Sequence, residues 1–252
     1  MIRLFVPGKL EDGATIALGP EQSHYLRDVM RRSVGDEVVL FNERDGEWRA
    51  IVAAIDRRSV SLTPRGRTRG FTAGPDLELI VAVIKRPRLE AVVEKATELG
   101  VRRIRLAVTR FTQADRVKLD RLAAIAVEAA EQTGRLDVPE VVAPEKLGDI
   151  LDAWSERTLV FCDEGGEALP MAEALTPPSP ARGEGASILI GPEGGFAPEE
   201  RDRLRALPFV IPVSLGPRIL RADTAAIAAL VLWQAKLGDW PLEPGGAGAH
   251  LV

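Results

Sequence analysis

The stretch Leu77-Glu78-Leu79-Ile80-Val81-Ala82-Val83-Ile84 is apolar at every position but one. A strand with one face in water alternates polar and apolar residues. A strand this uniformly apolar is covered on both faces, as in the middle of a parallel sheet flanked by helices. The chain that follows meets that demand. From Pro87 to Leu99 the apolar residues Leu89, Val92, Val93, Ala96 and Leu99 recur at the spacing of one helix face, and Gly100 is placed to end the helix. Arg103 to Val108 alternates into a second strand, Lys118 to Gln132 is a long helix followed by Gly134, and Thr158 to Cys162 is a third strand. Ser187 to Ile190, Pro198 to Ala206, Phe209 to Ser214 and Asp223 to Leu237 then read as strand, helix, strand and closing helix, with Gly238 as the final cap. Such alternation implies an α/β domain with a mostly parallel sheet. The Pro-, Gly- and Ser-rich segment Leu175 to Ala186 reads as a mobile surface loop. On the closing helix, Ala226, Ile227, Leu230, Val231 and Trp233 form an apolar face that suits either a core or a dimer interface.

The first 70 residues have a different texture. Glu37 to Asn42 reads as a strand, Asp45-Gly46 as a hairpin turn, and Glu47 to Val52 as the returning strand. Ser59 to Thr63 is a further strand, and one helix is expected from Glu21 to about Arg31 behind Pro20. Short strands with tight turns predict a small β-barrel. Arg65-Gly66-Arg67-Thr68-Arg69-Gly70 reads as a linker, which divides the chain into a barrel over 1–70, an α/β domain over 75–240 and a flexible tail over 241–252.

Composition removes several function classes. The single cysteine, Cys162, allows no internal disulfide, fits a reducing cytoplasm, and with only His24 and His250 leaves no basis for a Cys- or His-rich metal site. No stretch approaches the roughly 20 apolar residues of a membrane span, and the N-terminus lacks a signal-peptide core. The net charge of −4 is unevenly spread: Arg57 to Arg110 carries thirteen Lys or Arg against five Asp or Glu, so this stretch is +8 and the remainder −12. A local basic surface, not the global sum, is what nucleic acid senses.

Ligands of open α/β sheets bind beyond the carboxyl ends of strands. Two loops have that position. One is Gly191-Pro192-Glu193-Gly194-Gly195 after Ile190; the other is Leu215-Gly216-Pro217-Arg218-Ile219-Leu220-Arg221 after Ser214. Neither is a phosphate loop or a dinucleotide fingerprint, so a nicotinamide-dependent oxidoreductase is disfavoured. Closely approachable backbone suits an adenosine-type ligand.

The segments Ile190 to Phe196, Ser214-Leu215-Gly216 and Ile219-Leu220-Arg221-Ala222-Asp223-Thr224-Ala225 resemble the RsmE-type 16S rRNA uracil-N3 methyltransferases of the SPOUT superfamily. Lys95 to Val101, Glu128-Ala129-Ala130-Glu131-Gln132 and the N-terminal pattern His24, Val29-Met30-Arg31, Gly35-Asp36 match as well, so the resemblance runs nearly the whole chain in order. It implies a PUA-like barrel, a SPOUT domain whose C-terminal segment threads a deep trefoil knot, a homodimer, S-adenosylmethionine as cofactor without a metal, and a uridine of the small ribosomal subunit as acceptor. Two positions depart from the family pattern: Asp223 stands where Glu is usual, and Thr109 to Asp115 differs from a Ser-Glu-Arg-Ser pattern while keeping an Arg.

On this reading the donor is held by Ile190, Gly191, Pro192, Glu193, Gly194, Gly195, Ser214, Leu215, Gly216, Ile219, Leu220, Thr224 and Ala225. The catalytic candidates are Arg221 first and Arg110 second, whose guanidinium forks suit a carbonyl-flanked anion, together with Asp223. Candidate contacts to 16S rRNA are Arg3, His24, Arg27, Arg31, Arg32, Arg65, Arg67, Arg69, Lys85, Arg86 and Arg88. Two other readings stay open: a related enzyme acting on a ribose hydroxyl or another base, and a catalytically silent assembly factor on the same fold.

Overall fold

The computed structural model describes residues 1–112, 116–154, 157–165, 168–175 and 185–240. The chain divides into two compact units, one formed by residues 1–73 with 127–138 and the other by residues 74–126 with the chain from Pro139 onward.

The first unit is a five-stranded mixed sheet. Its strands are β1 (Arg3–Phe5), β2 (Ile16–Ala17), β3 (Glu37–Asn42), β4 (Gly46–Ile55) and β5 (Val60–Arg69), in the order β1-β3-β4-β5-β2. β1 runs parallel to β3 and the other pairs are antiparallel. The hairpin between β3 and β4 forms where Asp45-Gly46 predicts it. The Asn42 Oδ1 accepts the Asp45 N–H at 2.6 Å, and Gly46 takes φ +81° at a point where a Cβ would run into the Arg69 carbonyl. Leu4, Leu26, Leu40, Val52 and Leu62 fill the core beneath.

β1 and β2 have no counterpart in the sequence reading, and two further elements differ from it. The expected Glu21–Arg31 helix is shorter and changes pitch: α1 (Pro20–His24) passes into a π-helical turn over Tyr25–Val29, and Arg31 takes φ +50°. The Arg65–Gly70 segment is not a linker up to residue 69. It is the end of β5, paired through Arg67 with Trp48 and through Arg69 with Glu47, across a bulge at which Gly66 has φ +103°. Residue types mark a strand weakly there, because pairing with β4 decides the matter.

The second unit is a seven-stranded sheet in which every pair is parallel. Its strands are β6 (Leu77–Ala82), β7 (Arg103–Val108), β8 (Glu140–Lys146), β9 (Thr158–Cys162), β10 (Leu169–Pro170), β11 (Ala186–Ile190) and β12 (Val210–Ser214), in the order β10-β12-β9-β11-β6-β7-β8. All residues of β6 and β11 are buried, as the uniformly apolar run demands. The helices of this unit are α2 (Arg86–Glu98), the first half of α3 (Leu119–Thr133), whose residues from Val127 onward belong to the first unit, α4 (Leu147–Asp152), α5 (Met171–Ala174), α6 (Pro198–Ala206) and α7 (Ala222–Lys236). Leu147, Ile150 and Leu151 of α4 and Leu204 of α6 pack against Ile80, Ala107, Phe161 and Leu189 of the sheet. Trp233 on α7 is fully buried within the single chain, as are Ala226 and Leu230, so this face is core; Ile227 alone among these residues is exposed. β8, α4, β10 and α5 have no counterpart in the sequence reading. β8 is an edge strand carrying Pro144, and its half-exposed pattern gives little hydrophobic signal. Most of the 175–186 loop and the 241–252 tail lie outside the described residues.

β11 enters the sheet between β9 and β6, although β7 and β8 have already been laid down on the far side of β6. The chain therefore leaves β6 toward β7 on one side and β11 toward β12 on the other.

Candidate active site

A cleft of about 240 Å³ lies at the carboxyl ends of β9, β11 and β12, with the start of α7 as its further wall. Both Gly-containing loops converge on it. Of the residues expected to hold the donor, Ile190, Gly191, Pro192, Glu193, Gly195, Ser214, Leu215, Gly216, Ile219, Leu220 and Ala225 line the cleft. Gly194 and Thr224 do not; both are exposed. The Gly194 Cα faces Phe111, and the Thr224 N–H is satisfied by Asp223 Oδ1 at 3.1 Å.

The first loop is shaped from beneath. A Cβ on Gly191 would sit 2.6 Å from the Phe196 ring, so the loop lies directly on that ring. Phe196 is in turn buried edge-on against Phe161, with ring centroids 5.1 Å apart. The Gly195 N–H closes the turn onto the Pro192 carbonyl at 3.0 Å, with φ +70°. α6 begins immediately after. Glu200 reaches back to the Ala197 N–H at 3.1 Å and accepts the Arg110 N–H at 2.8 Å, which draws the end of β7 to the same place. In the second loop Gly216 has φ +109° with open space around it, and its N–H is held by Ser214 Oγ at 3.2 Å.

Sequence reasoning missed the third wall. Cys162, Asp163 and Glu164 at the end of β9 line the cleft. Burial pushes the Cys162 thiol up to about 12, with the Glu164 charge adding to it, so the sulfur stays protonated. The Asp163 side chain is fully buried. It accepts the Gly165 N–H at 2.9 Å and Arg205 Nε at 2.8 Å, with Arg201 Nε 3.5 Å away. Glu164 Oε1 accepts the Phe196 N–H at 3.0 Å and Arg201 Nη2 at 2.7 Å. No local motif marks this pair. Apart from the Gly165 N–H, their partners lie more than 30 residues later, and the parallel pairing of β9 with β11 and β12 brings them together.

Arg221 is the residue before α7. It is exposed, it has no ion-pair partner among the described residues, and its carbonyl accepts the Ala225 N–H at 2.8 Å. No ion pair with Asp223, two residues on, is among those formed by the described residues. Asp223 instead faces Arg88 across 3.8 Å, which joins a catalytic candidate to an RNA candidate at the adjoining starts of α7 and α2. The Arg110 side chain is exposed beside the first loop. Among the described residues no group of three His, Cys, Asp or Glu is arranged to hold a metal, and no helix is long and apolar enough to cross a membrane.

The basic candidates separate into two sets. Arg31, Arg65, Arg67 and Lys85 are exposed and carry no ion pair among the described residues. Others are engaged internally. His24 and Arg27 both pair with Asp28, whose carboxyl is held down at about 2 chiefly by the hydrogen bond from Arg27. Arg32 is 3.8 Å from Asp36, Arg69 pairs with Glu47, and Arg86 pairs with Glu90. Arg3 is the clearest correction. Its guanidinium is largely buried, lies over the Phe41 ring, pairs with Glu47, and donates to the carbonyls of Ala130, Glu131 and Arg135. It neutralises carbonyls at and beyond the C-terminal end of α3, so its donors are already engaged within the unit.

Comparison with known proteins places this geometry. Residues 72–234 match the family model of an RNA methyltransferase domain, and residues 18–65 match that of an RNA methyltransferase PUA domain. The ribosomal RNA small subunit methyltransferase E of Rickettsia conorii is 31% identical over 232 residues, covering 90% of this chain and 93% of that relative. The chain belongs to the ribosomal RNA small subunit methyltransferase E family. The enzyme of the same designation from Synechocystis is 33% identical, covering 89% of this chain and 74% of the relative. Among solved structures, one described as a methyltransferase from Legionella pneumophila in complex with S-adenosylmethionine superposes with a TM-score of 0.85 at 30% identity, covering 94% of this chain and 98% of that one. The family member from Neisseria gonorrhoeae, bound to S-adenosylmethionine, gives 0.82 at 25% identity, covering 95% and 99%. The five-stranded sheet is thus the PUA-type unit and the seven-stranded unit the methyltransferase domain.

Proposed function

We propose that the protein methylates N3 of a uridine in 16S rRNA of the small ribosomal subunit, with S-adenosylmethionine as donor. The observation that carries this reading is the convergence of both family loops on one cleft at three adjacent strand ends, with Arg221 exposed beside it and without an ion pair among the described residues. The cleft suits the donor: its walls are mostly backbone and apolar side chains, including Ile190, Leu215, Leu220 and Ala225, with a few polar groups set among them. When bound, the donor supplies an electrophilic methyl on a sulfonium.

The residues of the chain have three tasks. The loops over Gly191–Gly195 and Ser214–Leu220 hold the donor through backbone groups. Uracil N3 must lose its proton to solvent water before it can take the methyl, and the negative charge then spreads over the two flanking carbonyl oxygens. Arg221 offers forked donors to that charge, and Arg110, beside the first loop, is the second candidate. Asp223 is engaged by Arg88, which favours a positioning role for it over proton removal. N3 lies on the pairing edge of the base, so the acceptor uridine is unpaired or extruded when it reacts. Arg31, Arg65, Arg67 and Lys85 serve the phosphate backbone. The protein works as a cytoplasmic homodimer, and its chain threads the trefoil knot that the family resemblance implies.

Labelled methyl transfer to small subunits that lack their native modification, followed by nucleoside analysis, tests this reading. Recovery of 3-methyluridine is expected. A different methylated nucleoside overturns the acceptor, and donor binding with no transfer favours the silent assembly factor.

A further inference from the structure

Glu164 has one carboxylate oxygen fully employed and the other unused. Its Oε1 accepts both the Phe196 N–H and Arg201 Nη2. Its Oε2 makes no hydrogen bond among the described residues, although the side chain is 39% exposed and lines the cleft. The neighbouring Asp163 is the opposite case, fully buried with both oxygens engaged by Gly165 and Arg205. An ionised carboxylate has room for about four hydrogen bonds, so Glu164 enters ligand binding with spare acceptor capacity. Gly195 makes its placement possible: a Cβ there would lie 2.5 Å from Glu164 Oε1 and displace it.

We propose that Glu164 is a binding and positioning residue for the methyl donor. Oε1 fixes the first loop in its donor-binding shape, and Oε2 accepts a hydrogen bond from a ribose hydroxyl of the bound adenosine moiety. A hydroxyl, in preference to the donor's ammonium, follows from the local charge. Two carboxylates, Asp163 and Glu164, face two guanidinium groups, Arg201 and Arg205, so the pair is already neutralised and calls for a neutral donor. An acidic side chain at a strand end holding a ribose hydroxyl is also a known solution in open α/β sheets. The proposal rests on the donor assignment made above.

Calorimetry separates the two. Wild-type protein is titrated with S-adenosylhomocysteine, with 5′-methylthioadenosine, which keeps the ribose and lacks the amino-acid end, and with the analogue of the latter lacking both ribose hydroxyls. Glu164→Gln, which keeps an acceptor for the Phe196 N–H, is titrated in parallel, and thermal melting checks its fold. The variant is expected to lose on the order of 10- to 100-fold affinity for both hydroxylated ligands, and removal of the hydroxyls is expected to cost it little more. Wild type binding the hydroxyl-free analogue as well as its parent overturns the ribose contact, whether or not the variant folds. Loss confined to S-adenosylhomocysteine overturns it in favour of the ammonium. Failure of wild type to bind any of the three overturns the donor assignment itself.

Discussion

Gly191 leaves no space for even a methyl group, because the Phe196 ring occupies the place of its Cβ. Phe196 is buried against Phe161, so the ring has little freedom to yield. Gly191→Ala is therefore expected to lower melting stability by about 1–3 kcal/mol and to weaken donor binding, read by calorimetry. Arg221 calls for the opposite result. It is exposed and its side chain makes no hydrogen bond or ion pair among the described residues, so Arg221→Ala is expected to leave melting and donor affinity near wild type. Methyl transfer should fall on the order of 100- to 1,000-fold, and near-normal turnover would remove Arg221 from the mechanism. At this scale the glycines of the two loops were legible, because close approach and positive φ select that residue type. The sequence was silent on Asp163 and Glu164, whose role exists only through Phe196, Arg201 and Arg205, and it misread Arg3, whose charge is directed inward.

Among the elements, β6 shows how one polar residue is tolerated in a strand buried on both faces. Glu78 is 3% exposed, takes a 2.6 Å hydrogen bond from Ser187 Oγ on β11, and lies 3.4 Å from Arg105 on β7. Ser187→Ala removes that donor from a buried carboxylate and is expected to cost about 1–3 kcal/mol, measured by urea unfolding; a neutral result would show that Arg105 alone suffices. The β3–β4 hairpin carries an acid-sensitive support. Hydrogen bonds from Arg44 first, then from the Leu10 amide and Asn42, hold the Asp45 carboxyl down at about 2. A folded pKa below the unfolded value of about 3.9 means that its stabilisation is complete above about pH 4 and disappears as the pH falls toward 2. The melting-temperature difference between wild type and Asp45→Asn is therefore expected at neutral pH and should shrink as the pH falls from about 4 through about 2. Element types were legible where the hydrophobic signal was strong, in the unbroken apolar run of β6 and the one-face spacing of α2 and α3. β8 and the end of β5 were not, because an edge strand or a basic strand end has no burial pattern to reveal it.

For the whole molecule, the net charge of −4 conceals the basic stretch between Arg57 and Arg110. Binding to small-subunit RNA is expected to weaken linearly in the logarithm of salt concentration. Arg65→Ala, Arg67→Ala and Lys85→Ala should each reduce that slope by about 1. Arg3→Ala should act through stability instead and leave the slope unchanged, which a salt titration of filter binding distinguishes. The sequence by itself determined the α/β class, the separate β-rich unit and the two loops at the strand ends, because hydrophobic period and glycine placement are local properties. Tertiary structure decided the insertion of β11 between β9 and β6, the third wall of the cleft, and the division of the arginines into free and engaged. Each of these depends on which distant strands become neighbours, and that pairing sets where a charge finds its partner.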